Sequence, residues 1–214
     1  AFVLGAPAPA SPAAATAAPP AEPELLEPLA NCVGIAVQWP RIGELRAMCA
    51  PALAVLAAAA ACPPGAARRA LLRSSVPAAC ACLLCEPESR GADDAHGLRE
   101  GAAGVLLRLC DIAYGAGPKA LAKLRAALPS AALLDRLVAS RDEAHDLEPP
   151  SAEGVLVFAL LHELHGMPAE ASLDARRRRA LAHHRASVIR LRVSHSSSGE
   201  RRTVYLLPPA PCRR

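Results

Sequence analysis

A mainly α-helical fold that ends in a β-hairpin is predicted by three observations. Apolar residues make up 52 % of the chain but aromatic ones only 2 %. The core must therefore be built from Ala, Leu and Val, a composition that suits closely packed helices and argues against a β-sandwich. From about residue 24 to 186, apolar residues recur at helical spacing between Pro and Gly stops. After Arg185 the period changes to two, with Ile189, Leu191 and Val193 alternating with Arg190 and Arg192, the pattern of a half-buried strand. Three segments follow: an Ala/Pro-rich leader or linker over 1–23 expected to be disordered, a helical domain over 24–186, and a hairpin over 187–214.

In the helical domain, 24–37 reads as a first helix stopped at Trp39-Pro40. The stretch 41–62 gives a long helix, kinked or restarted at Pro51 and ended by Pro63-Pro64-Gly65, with Ile42, Leu45, Met48 and Cys49 at helical spacing. A helix is expected over 66–74, another from Pro77 to Cys85, and a surface loop over 86–96. The clearest amphipathic helix is Leu98 to Tyr114, with Ala102, Val105, Leu106, Leu109, Cys110 and Ala113 as its buried stripe and Arg99, Glu100 and Arg108 elsewhere. Pro118 starts a helix to Leu128, and Pro129-Ser130 restarts the chain into 131–140. An acidic loop over 141–150 leads to a helix from a Ser151 N-cap to Leu164, stopped by Gly166. The last helix, 172–186, has Arg176 to Arg179 on its polar face. The hairpin follows: a strand over 188–193, a polar turn over 194–199, and a second strand with Val204, Tyr205 and Leu206, closed by Pro208, Pro209 and Pro211.

Three of these helices share a loose phrase of small residues followed by a Leu/Val cluster: APALAVL from residue 50, GAAGVLLRLC from 101, and EGVLVFALL from 153. The phrase suits the inner helix of a repeat that buries one face on the next repeat. The expected architecture is a degenerate armadillo-like helical solenoid of about three repeats with the β-hairpin appended.

At 214 residues the chain is long enough for one sizeable core. Its net charge of +4 is modest and its basic residues are not interleaved with aromatics, which excludes a general nucleic-acid binder. Several of the eight cysteines, such as Cys49, Cys82, Cys85 and Cys110, sit in apolar helical runs, where free thiols of a reducing compartment are expected. The most apolar run, 49–62, is shorter than the roughly 20 residues that cross a bilayer and contains Pro51, so no direct membrane insertion is expected. The leader lacks the basic start of a secretory signal. Beginning without Met and ending just after a strand, the chain reads as a piece of something larger.

Candidate chemistry is sparse. Cys80, Cys82 and Cys85 could supply thiolates to zinc, but one helix spreads them over different faces and no second Cys/His pair stands at finger-like spacing. His162-Glu163-Leu164-His165 has its histidines three apart, whereas a zinc-protease helix needs four, and reads as a solvated helix end. His183-His184 beside four arginines could meet phosphate, but reads as a solvated basic face. Asp142, Glu143, Asp146 and Glu148 lack EF-hand order and read as surface. No phosphate loop, nucleophile elbow or Ser-His-Asp arrangement is present. The expectation is no enzyme, no metal site and no cofactor.

With helices and hairpin in view, the segment from about 98 to 212 resembles the intracellular calcium-release channels, namely inositol trisphosphate receptors and, more distantly, ryanodine receptors. The likeness is to the helical segment and linker hairpin that precede their transmembrane domain. The similar positions are Ile189, Leu191 and Arg192 in the first strand, Val204, Tyr205 and Leu206 in the second, and Pro208, Pro209 and Cys212 at the close. The resemblance implies a regulatory segment at the cytosolic face of the endoplasmic reticulum membrane, coupling conformational change to a pore. Its coupling hairpin would be Ile189, Leu191, Val193, Val204, Tyr205 and Leu206. Its partners would be a transmembrane pore domain and neighbouring subunits of a homotetramer, with no nucleic acid. The family's calcium ligands match no residue here, so calcium regulation would belong to the parent channel. The rival expectation is a free-standing armadillo-like scaffold that binds proteins.

Overall fold

The computed structural model describes residues 2–4, 25–38, 43–61, 66–85, 95–142, 149–194 and 201–208. These residues are mostly helical. The elements are β1 (Phe2–Leu4), α1 (Leu26–Gln38), α2 (Gly43–Ala61), α3 (Ala66–Arg73), α4 (Val76–Cys85), α5 (Ala95–Ala116), α6 (Pro118–Ala127), α7 (Ser130–Asp142), α8 (Ala152–His165), α9 (Ala175–Ser187), β2 (Ile189–Ser194) and β3 (Arg201–Leu207). A single 3-10 turn, Glu170–Ser172, precedes α9.

Local chemistry sets the helix ends. Pro118 is the first residue of α6 and needs no amide partner there. The Ser151 hydroxyl accepts from the Gly154 amide at 3.0 Å and caps α8, and the Asp174 carboxylate caps α9 by accepting from the Arg177 amide at 2.9 Å. Gly166, at φ +71°, ends α8 in a conformation that favours glycine. α2 differs from expectation in running on through Pro51, which stands on its exposed side.

α1 lies on α4, α2 lies on α5 and α5 on α8, while α4 touches both α6 and α7. Within each layer α1 pairs with α2, α4 with α5, and α7 with α8. The three segments that share the Leu/Val phrase thus occupy the three helices stacked in succession. Their small residues let the backbones close: a Cβ on Gly101 would stand 3.2 Å from Leu53 Cδ1 across the α2–α5 contact. The α5 stripe read from sequence is buried at every position, each Leu contributing about 1.5–3 kcal/mol relative to exposure. Arg99, expected away from the core, is buried as well.

Polar side chains tie one layer to the next at helix ends. Glu27 of α1 accepts from the Ser75 amide and hydroxyl just before α4, at 3.2 and 2.6 Å. The Lys123 ammonium of α6 donates to the Leu72, Arg73 and Ser74 carbonyls at the end of α3, at 2.9, 3.2 and 3.3 Å. Each places charge where the helix dipole favours it.

The strands form an antiparallel sheet in the order β1-β3-β2. Arg190 stands opposite Tyr205, Leu191 opposite Val204, and Ile189 opposite Leu206. β1 pairs Phe2 with Leu207 and Leu4 with Tyr205, so three residues of the leader expected to be disordered are a strand; residues 5–24 lie outside the described residues.

Candidate docking surface

Alternation along β2 and β3 divides the hairpin into two faces. One carries Arg190, Arg192, Thr203 and Tyr205; the other carries Ile189, Leu191, Val193, Val204 and Leu206. The first face meets the helices through Tyr205, while Arg190 and Arg192 on it stay exposed. Tyr205 is 1 % exposed, and its ring stands edge-on to Phe158 and His162 of α8, with centroids 6.5 and 6.2 Å away. Its hydroxyl donates to the Glu163 carboxylate. A buried tyrosine stays put where its ring is packed and its hydroxyl has an acceptor, and α8 supplies both. Beside it the Arg190 guanidinium meets the His162 imidazole. Burial and then the Arg190 charge push the His162 pKa down, keeping the ring neutral and able to accept from a guanidinium that can only donate.

With Tyr205 inward, the second face must point away. Ile189, Leu191 and Val193 are 46 %, 46 % and 49 % exposed, flanked by half-buried Val204 and Leu206. The sequence pattern read a half-buried strand with Ile189, Leu191 and Val193 on one face; the residue that this hairpin buries is Tyr205, on the other face. A period of two states that a strand has two faces; the tertiary partner decides which is inside. Here a ring and a hydroxyl with fitted partners outweigh three aliphatic side chains. The six hairpin residues named from sequence therefore split, with Tyr205 as the anchor and the other five facing outward.

The remaining candidates disperse. Cys80 is buried and Cys82 and Cys85 are exposed, on different sides of α4. Burial, then Cys49, pushes the Cys80 thiol up to about 12, so it stays protonated. Among the described residues no group of three or more His, Cys, Asp or Glu is placed to hold a metal ion. No described helix is long and apolar enough to cross a membrane. His162 and His165, read as a solvated helix end, are both engaged, His165 Nε2 lying 2.7 Å from the Leu128 carbonyl at the end of α6. Glu143, Asp146 and Glu148 lie outside the described residues.

His184 differs most from its reading as part of a solvated basic face. It is 1 % exposed, because α9 turns Ala180, Leu181 and His184 to one side. That spacing of three and four residues was the available signal. The imidazole stacks on Phe158 at 6.1 Å and its Nδ1 lies 2.9 Å from the Ala180 carbonyl, while Nε2 has no hydrogen-bond partner. It presses on the first turn of α8, where a Cβ on Gly154 would fall 2.6 Å from Nε2 and 3.1 Å from Ser140 Oγ. Gly154→Ala is expected to destabilise the chain by about 1–3 kcal/mol through overpacking, read as a lower urea midpoint. A midpoint unchanged from the native chain would show that α9 can give way.

Set against models of protein families, curated proteins and solved structures, the chain matches none. Its own residues carry the functional reading.

Proposed function

We propose that the chain is a non-catalytic protein-interaction module, an armadillo-like stack of three helical repeats that holds a β-hairpin out to another protein or domain. The observation that carries this is the outward face of Ile189, Leu191 and Val193. Single exposed apolar residues are ordinary, but a continuous stripe on an anchored strand marks a surface that something covers. Succession of α2, α5 and α8, with α1 on α4, supports the repeat reading, since each repeat of such a stack buries its face on the next. Packed helices move as rigid bodies, so the Tyr205 anchor would transmit motion of the body to whatever sits on the hairpin.

The test is the pair of substitutions Ile189→Asp and Leu191→Asp, on the outward face. The helical body is expected to keep its thermal midpoint and far-UV dichroism, because neither side chain is packed on it. Partners captured by a photo-cross-linker at Val193 of the full chain are expected to fall at least tenfold. Unfolding of the variant, or unchanged capture, would count against the proposal.

A second reading is favoured by the order of elements, helices followed by strand, turn, strand and the close at Pro208, Pro209 and Cys212. In it the partner is the pore domain of a calcium-release channel, and the module couples regulatory signals to that pore at the cytosolic face of the endoplasmic reticulum membrane. Coding sequence beyond Arg214 separates the two readings: membrane spans with a selectivity loop favour the channel, and a stop codon favours the scaffold.

A further inference from the structure

Among the described residues β2 lies at the edge of the sheet and pairs with β3 on one side only. We infer that this edge takes up an extended segment of a partner protein, acidic and apolar residues alternating along it, as a fourth strand. The inference rests on the hairpin being a docking face and adds the chemistry of what docks.

Three features point to such a segment. The six residues of β2 offer main-chain donors and acceptors along their open side, the groups that strand addition uses for affinity. Ile189, Leu191 and Val193 extend this edge as an exposed apolar row, beside which the alternate side chains of an added strand would lie. The charge is one-sided: β2 and β3 together hold Arg190, Arg192, Arg201 and Arg202 and no Asp or Glu. Arg190 rests on the neutral His162 ring, and Arg192 has no carboxylate partner among the described residues. Carboxylates on the incoming strand beside Arg190 and Arg192 would meet this charge.

Other occupants fit less well. In a second copy of the chain paired through β2, matching faces would set Arg beside Arg, which is repulsive. A single-stranded nucleic acid needs exposed rings to stack on, and Tyr205 is buried. A lipid surface could meet the arginines but has no backbone to pair with the edge. The chain's own residues 5–24, with proline at 7, 9, 12, 19, 20 and 23, lack the alternating acidic pattern.

The experiment titrates the full chain with a capped, fluorescently labelled peptide alternating Glu with Val and Ile, read by anisotropy. Saturable binding is expected. It should weaken at least tenfold with Arg190→Glu and Arg192→Glu together, and measurably with Arg192→Glu alone, a variant that leaves the His162 contact intact. A counterpart peptide with Lys for Glu should not bind. Backbone N-methylation at alternate residues should abolish binding in one of its two phases, because only one set of amides faces β2. The His162 ring, followed by NMR, should titrate at higher pH in the complex, since a carboxylate offsets the Arg190 charge.

The inference is overturned by absence of saturable binding, by equal binding of the Lys peptide, or by equal binding of both N-methylated peptides. It is also overturned if the chain binds phosphatidylserine vesicles and not the Glu peptide. If the peptide fails while Ile189→Asp with Leu191→Asp still abolishes cross-linking at Val193, the hairpin stands as a docking face and only the acidic strand falls. If both experiments fail, both readings fall.

Discussion

Replacing Glu153 with Ala is expected to lower stability by about 3–5 kcal/mol, the largest effect of any single substitution considered for this chain. Glu153 sits in the first turn of α8 and pairs with Arg136 of α7, and both side chains are almost wholly out of water. The carboxylate also lies where the dipole of α8 favours negative charge. Removing it takes this carboxylate from a buried guanidinium that cannot shed its proton. Swapping both residues together, Arg136→Met with Glu153→Leu, is a different experiment. It removes both desolvation penalties and is expected to be close to neutral or stabilising. Urea unfolding of both variants checks the pair. A Glu153→Ala midpoint within about 1 kcal/mol of the native value would show that water or another group reaches Arg136 once the carboxylate is gone.

The second large effect is acid lability. Burial is the main reason that the His184 pKa is pushed down to about 4 from 6.5; the charges of His183 and Arg141 push the same way, and the hydrogen bond to the Ala180 carbonyl opposes them. In the unfolded chain this imidazole takes a proton near pH 6.5, and in the folded chain only near pH 4. Between those values the unfolded state binds more protons, so stability falls as pH falls through this window. The loss is complete below about pH 4 and amounts to about 3 kcal/mol for a shift of this size. His162, depressed in the same direction, adds to the same limb. His184→Leu should flatten most of the decline in stability between pH 6.5 and 4, as read by denaturant unfolding at successive pH values. An equally steep decline in that variant would assign the acid limb to other groups.

Arg136, Arg99 and His184 are polar residues the helical body buries, and none of them was legible as buried from its own type. Their neighbours were more informative. His184 follows Ala180 and Leu181 at helical spacing, which puts it on their face. Arg99 stands next to Leu98 and three residues before Ala102, so a stripe wider than the six apolar residues read from sequence would have taken it in. Nothing in the local sequence marks Arg136 and Glu153 as partners, since they belong to different helices and meet only when α7 packs on α8.

That the described chain is mostly helical, where most helices start and stop, and that two antiparallel strands follow them were readable from residue types and their spacing. Those properties follow from short-range causes: side-chain period, proline at first turns, Ser151 as a cap, Gly166 as a stop. The helices that carry the shared Leu/Val phrase, α2, α5 and α8, are in contact, α2 with α5 and α5 with α8. Which side of the hairpin is covered depends on packing between distant elements. Either face of β2 and β3 could have been buried, and the outcome turned on α8 offering Glu163, His162 and Phe158 to Tyr205. That contact spans about forty residues of sequence and leaves Ile189, Leu191 and Val193 facing outward.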